Sequence, residues 1–260
     1  VSPGRYPSPG GLFAPLSNLL EGIPFAADSS VLNALSMAHP VSTQSGQRLR
    51  FIPPADDGVG YEARIWTRGE VETRADSWHD FFNGLVWLTF PRAKAALNAR
   101  HAIDLATQPE GRGRARDAMT HFDECGIVVV SSDASLLDLI RNFQWRALFW
   151  ERRTDLGNSL RCFLFGHATY EQLLQPFRGL TAKAVLYEVS EDWLCRPLPE
   201  QLRDLDLRLA GQLAAGAYAD PRDLHPLPLM GFPGVTPDNE CADYYDDTWQ
   251  FRSGRRTAGV

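Results

Sequence analysis

Imidazoles beside carboxylates, amides and aromatic rings recur at four places in this sequence. The clusters are Trp78-His79-Asp80-Phe81-Phe82-Asn83, Asn98-Ala99-Arg100-His101, His121-Phe122-Asp123-Glu124 and Phe165-Gly166-His167, and they hold four of the six histidines. The other two, His39 and His225, each precede a proline and read as loop residues. Neutral imidazoles and carboxylates are donors that divalent transition metals take from proteins, and an ion held that way activates water. The clusters therefore suggest one composite site. His79, His101 and His167 are the expected metal ligands, Asp80, His121, Asp123 and Glu124 the expected catalytic groups, and Asn83 and Asn98 the expected ligand-binding amides. The adjacent carboxylates Asp123 and Glu124 suit this role, because close like charges raise one another's pKa. No spacing matches His-Glu-x-x-His or an EF-hand loop. The site must then be assembled from distant stretches. The competing reading makes each cluster a set of hydrogen-bonded polar groups fixing helix and strand ends.

Spacing offers one way to bring two clusters together. His79, Asn83 and Trp87 are four apart, on one helical face, while Lys94, Asn98 and His101 occupy another. His79 and His101 are equally far from residue 90, and Asn83 and Asn98 nearly so. A continuous helix would hold the two histidines ~33 Å apart at ~1.5 Å per residue. A reversal at Phe90-Pro91 would bring His79 toward His101 and Asn83 toward Asn98, and Pro91 favours it. In the fourth cluster, His167 and Glu171 are one helical turn apart.

The elements that must carry these groups follow from pattern and punctuation. Residues 1–11 are rich in Pro, Gly and Ser and read as a disordered arm, leaving 12–260 as one globular domain. Leu12 to Leu20 suits a short helix, and Asp28 is placed to cap another over VLNALSMA. RLRFI (48–52) reads as a strand, and Tyr61–Trp66 with Glu70–Thr73 as a hairpin around Arg68-Gly69. Trp78–Leu88 and Pro91–Leu105 are helical, and IVVVS (127–131) is a buried strand with His121–Glu124 at its mouth. Asp133 caps a long amphipathic helix through Arg153, with Leu136, Ile140, Phe143, Ala147 and Trp150 near one face. Strands follow at 161–165 and 182–189, with helices at 166–174 and 200–214. The segment from Pro226 reads as an irregular wrapping tail. The expected class is α/β or α+β, a small mixed sheet surrounded by helices with a long irregular C-terminal segment.

Other chemistries lack their signatures. No Gly-x-Ser-x-Gly elbow, dinucleotide fingerprint or phosphate loop is present. Gly231-Phe232-Pro233-Gly234 reads as a turn, and GRGRAR (111–116) as a flexible basic loop. The four cysteines form no Cys-x-x-Cys pair, which excludes a zinc ribbon, and Cys125 and Cys162 lie where buried thiols are common. With 26 Lys plus Arg against 32 Asp plus Glu, the net charge of -6 disfavours a nucleic-acid partner. Charge is nevertheless uneven. Six basic residues between Arg92 and Arg116 could form an anion-binding rim, while residues 238–247 carry only acids. No apolar run reaches the ~18 residues of a membrane span, and no signal-peptide plan is visible, so a cytoplasmic protein is expected.

The segments WHDFFNGLVWLTFPRAKAALNARH (78–101), HFDECGIVVVSSD (121–133), FGHATYE (165–171) and PLPLMGFPGVTPDNE (226–240) resemble the family designated domain of unknown function 3025. The resemblance implies a bacterial, stand-alone domain. It brings no activity and no catalytic residues. The residues themselves point first to a metal-assisted hydrolase of a small or phosphate-bearing substrate. The rival is a non-catalytic binding or scaffold protein, presenting Tyr244, Tyr245, Trp249 and Phe251 with Trp145 and Trp150 as a partner surface.

Overall fold

Local signals set many of the element ends. The computed structural model describes residues 11–21, 23, 28–107 and 113–254. Residues 1–10 of the expected arm (1–11) and the Gly111-Arg112 part of the basic loop lie outside them. A 3-10 turn (Ala14–Leu16) leads into α1 (Ser17–Leu20), and α2 (Ser29–Ala38) starts where Asp28 accepts the amides of Ser30 and Val31. β1 (Arg50–Ile52) follows.

The expected hairpin over residues 61–73 does not form. Tyr61–Arg68 is a helix, α3, closed by Gly69 at φ 68°, and β2 (Glu70–Glu72) then pairs parallel to β1. Aromatic and β-branched residues at 61, 65, 66 and 67 favour a strand only where a pleated surface receives them. As a helix the segment places Arg64 one turn before Arg68, and both guanidiniums reach Asp57. Arg64 is buried and also lies 3.1 Å from Glu70 and 3.2 Å from Glu72, tying the crossover helix to its strand.

α4 (Trp78–Thr89) and α5 (Pro91–Thr107) part at Phe90, whose φ of -123° and ψ of 58° leave the helical region. Pro91 ends one and begins the other, as its fixed φ and missing N–H require. The basic loop is shorter than the sequence suggests. From Arg114 it is already α6 (Arg114–Cys125), which runs straight into β3 (Gly126–Ser131). Every residue of β3 is buried, matching its unbroken apolar run. Asp133 caps α7 (Ala134–Arg141), but the long helix expected there breaks at Phe143 (φ 57°), and a wide turn of π-helix resumes at Ala147–Glu151. The apolar stripe hid the break, because Leu136, Leu137 and Ile140 before it and Trp145, Leu148 and Phe149 after it face the same core.

β4 (Leu160–Leu164), α8 (His167–Gln172), β5 (Thr181–Glu188), α9 (Glu191–Leu194), α10 (Leu198–Ala214) and β6 (His225–Pro228) complete the order. The four-stranded sheet runs β4-β3-β5-β6, with β3 antiparallel to β4 and parallel to β5, and β6 antiparallel to β5. The protein is thus a mixed α/β structure, with small sheets surrounded by helices. The tail contributes more than a wrapping. β6 is a sheet edge, where Pro226 and Pro228 need donate no hydrogen bond. Beyond it, Asn239 donates to the carbonyls of Met230 and Phe232 at 2.9 and 2.7 Å, and Tyr245 and Phe251 pack on Phe149. Trp145, Tyr245 and Phe251 are buried, so half of the aromatic set expected as a partner surface is core.

One junction fixes the geometry of the site. Because β3 and β4 are antiparallel, the start of β3 and the end of β4 lie at the same edge of the sheet, and Gly126 O accepts both Phe165 N at 2.9 Å and Gly166 N at 2.7 Å. A Cβ on Gly166 would sit 2.5 Å from Cys125 Cα, Glu124 O and Gly126 N, all backbone. Only glycine lets the end of α6 and the start of α8 approach this closely. Gly166→Ala is expected to destabilise the protein by about 1–3 kcal/mol, the usual cost of overpacking. Urea denaturation reads this, and an unchanged midpoint would show that the junction yields freely.

Candidate metal centre

Three helix ends meet beside that junction. Glu124 is in the last turn of α6, His167 is the first residue of α8, and His79 is in the first turn of α4. α4 packs against α8, held partly by stacking of Phe82 on Tyr170 at 5.5 Å. Ser77 caps α4 by accepting the Asp80 amide, which orients the turn bearing His79. None of this depends on the Pro91 reversal. His79 meets His167 rather than His101, because α4 takes α8 as its neighbour.

The three side chains converge. His79 Nε2 and His167 Nε2 are 3.1 Å apart, His167 Nε2 is 3.6 Å from Glu124 Oε2, and His79 Nε2 is 3.9 Å from the same oxygen. From these separations, the point equidistant from all three atoms lies about 2.1 Å from each, the length of a Zn–N or Zn–O bond. His79 Nδ1 faces Glu171 Oε2 at 3.3 Å. A proton on Nδ1 there leaves a lone pair on Nε2, the usual way a carboxylate sets a ligand tautomer. His167 is buried, and its Nδ1 has no hydrogen-bond partner, with Asp123 Oδ2 at 4.0 Å. Burial, only partly opposed by Asp123, holds its pKa down to about 3, so the ring stays neutral. Burial foremost, with the Asp123 and Glu171 carboxylates also contributing, raises the pKa of Glu124 above the ordinary range. His79, Glu124 and His167 are a group among the described residues with the spacing to hold an ion.

The neighbouring charges are already matched. Lys94, buried in α5, donates to Asp123 Oδ1 at 2.6 Å and to Asn83 Oδ1 at 2.9 Å, and lies over the Trp87 ring. Burial pushes the Asp123 carboxyl up, but Lys94, His167 and His101 together outweigh it and keep the pKa below the usual value. Asp80 accepts three hydrogen bonds of 2.8 Å from Arg74, two from the guanidinium and one from the backbone amide. Burial raises its pKa less than Arg74 lowers it. Neither carboxylate is free to act as a base. They are supports.

A hollow of about 350 Å³ opens over the three donors. Most of the expected residues line it: His79, Asp80, Asn83, His101, Asp123, Glu124 and His167. Two take other places. His121 is exposed and outside the lining, because it lies on the solvent side of α6. Asn98 stands behind the wall, donating to Glu62 Oε2 at 2.7 Å and to the Glu62 carbonyl at 3.0 Å. His101 lines the hollow without joining the three donors. Sequence reasoning did not single out Tyr61, Glu62 or Arg74, which also line it, nor the role of Glu171, and it placed Arg116, another lining residue, only in a basic rim. Lys94 carried the clearest missed signal, a lone cation inside the apolar run of α5.

Among the described residues no helix is long and apolar enough to cross a membrane. The model of a family described as Protein of unknown function (DUF3025) matches residues 49–255. No curated protein and no solved structure matches the chain.

Proposed function

Since the chain belongs to the DUF3025 family, whose description assigns no function, we propose one from the site itself: a metal-dependent hydrolase whose divalent ion is held by His79, Glu124 and His167. The observation that supports this is the convergence of two imidazole nitrogens and one carboxylate oxygen on a point at bonding distance from all three. Two histidines and a glutamate, with a position left open, are a donor set of catalytic zinc. The chemistry such an ion supplies is activation of a water for attack on a carbonyl or phosphoryl centre.

The chain's own residues do the rest. His167 enters as a neutral donor because burial keeps it unprotonated. Glu171 orients His79 through Nδ1. Lys94 neutralises Asp123, so that the half-buried carboxylate beside Glu124 does not compete for the ion or for a proton. Iron(II) enzymes use the same donor types, but this hollow is lined largely by charged groups, which suits an ion that activates water better than one that must exclude it. We place the chain in the bacterial cytoplasm, where its four unpaired thiols would stay reduced, acting on a small molecule rather than nucleic acid.

The test is hydrolysis of a panel of small carboxylic and phosphoric esters by the full chain, metal-loaded and chelated. Turnover should require the metal and return with zinc, manganese or cobalt. Glu171→Gln should weaken metal affinity about ten-fold, the scale of losing an outer partner of a ligating histidine. Turnover that persists after complete chelation would refute the proposal.

A further inference from the structure

Among the described residues, the hollow contains one arginine with no acidic partner. Of its carboxylates, Glu72 lies 3.2 Å from Arg64 and accepts the Ala55 amide, Asp80 is clamped by Arg74, Asp123 by Lys94, and Glu124 joins the histidines. Arg74, the other arginine of the lining, is consumed by Asp80. Arg116 also lines the hollow and is half-buried, yet among the described residues its guanidinium makes no hydrogen bond or ion pair. Arg114, two residues earlier on the same helix, has found Asp220 at 2.9 Å.

Its position along α6 adds a second constraint. Arg116, Thr120 and Glu124 are spaced by four residues, and all three line the hollow. They form one stripe, with Arg116 and Glu124 separated by about 12 Å along the helix axis, a distance the long arginine side chain can shorten. A guanidinium is a planar fork that binds the two oxygens of a carboxylate or phosphate together. Glu62, held by Asn98, has no ion-pair partner among the described residues, and it would turn away an anion placed on its side of the hollow.

We infer that Arg116 is an anion subsite: the substrate carries a phosphate or carboxylate group several bonds away from the bond that is broken, and Arg116 fixes that group while the reacting end faces His79, Glu124 and His167. This rests on the hydrolase reading for the reacting end, but the anion site can be tested without it.

The experiment is calorimetric titration of the full chain with inorganic phosphate, phenyl phosphate and acetate, in metal-free and cobalt-loaded forms, for wild type, Arg116→Gln and Arg116→Lys. Arg116→Gln should weaken oxyanion binding about ten-fold in both forms, the scale of one charge-assisted hydrogen bond, with metal affinity unchanged. Arg116→Lys should keep part of the binding. Preference for the phosphates marks a phosphate-bearing substrate, and preference for acetate a carboxylate. Equal binding by wild type and Arg116→Gln, or binding by neither, overturns the subsite. If no form takes up metal, the hydrolase reading fails, while the metal-free titrations still decide the role of Arg116.

Discussion

Replacing His167 with alanine should leave a folded protein that no longer retains a stoichiometric metal ion. The ring is buried at the start of α8, and its Nε2 is one of three atoms surrounding the proposed ion position. Losing an outer partner of a ligand costs about 10- to 100-fold in affinity, so losing the ligand should exceed 100-fold. At micromolar protein the bound ion should fall from one per chain to a small fraction. The cost in stability should be smaller, about 1–3 kcal/mol, because Nδ1 has no hydrogen bond to lose and only a ring-sized space opens. Elemental analysis after gel filtration, with circular dichroism to confirm folding, separates the two effects. Metal retained at one ion per chain would remove His167 from the site.

Lys94→Met should produce the largest loss of stability of any single change near the site. The ammonium is buried, with Asp123 at 2.6 Å, Asn83 at 2.9 Å and the Trp87 ring beneath it. Methionine fills the same space but leaves the half-buried Asp123 carboxylate uncompensated, and breaking one side of a buried pair costs up to about 3–5 kcal/mol. For a chain of this size the melting temperature should fall by roughly 10 °C. Removing both charges is gentler than removing one. The double variant Lys94→Met with Asp123→Asn should therefore recover much of the loss. Urea denaturation of both singles and the double forms a cycle that measures the coupling. A Lys94→Met protein as stable as wild type would show that solvent in the hollow compensates Asp123 as well as Lys94 does.

Much of the fold was legible where a local signal carries it. Asp28 and Asp133 mark helix starts, Pro91 marks a break, and the run GIVVVS marks a strand buried on both faces. The errors came where local and tertiary preferences diverge. The strand-prone residues of α3 became helical because Arg64 has three carboxylates to meet. The start of α6 was hidden in a run of arginines and glycines, and no turn separates its end from β3.

The site divides in the same way. Residue chemistry put His79 and His167 among three expected ligands and Glu124 among the expected catalytic groups, but spacing could not show that these three converge. The symmetric distances of His79 and His101 from Phe90 describe an isolated hairpin. In the folded chain α4 instead faces α8, and His79 reaches a histidine 88 residues away. No local spacing between them encodes that meeting. It follows from the antiparallel pairing of β3 and β4 and from Gly166, which brings the ends of α6 and α8 together.

X-ray absorption on the purified, zinc-loaded full chain addresses the metal centre most directly. One zinc per chain should be found, with two imidazole nitrogens and a carboxylate oxygen at about 2.0–2.1 Å and the imidazole scattering reduced in the His79→Ala protein. A chain that binds no zinc, manganese, iron or cobalt at micromolar concentration, or a zinc whose shell is unchanged when His79 is removed, would contradict it.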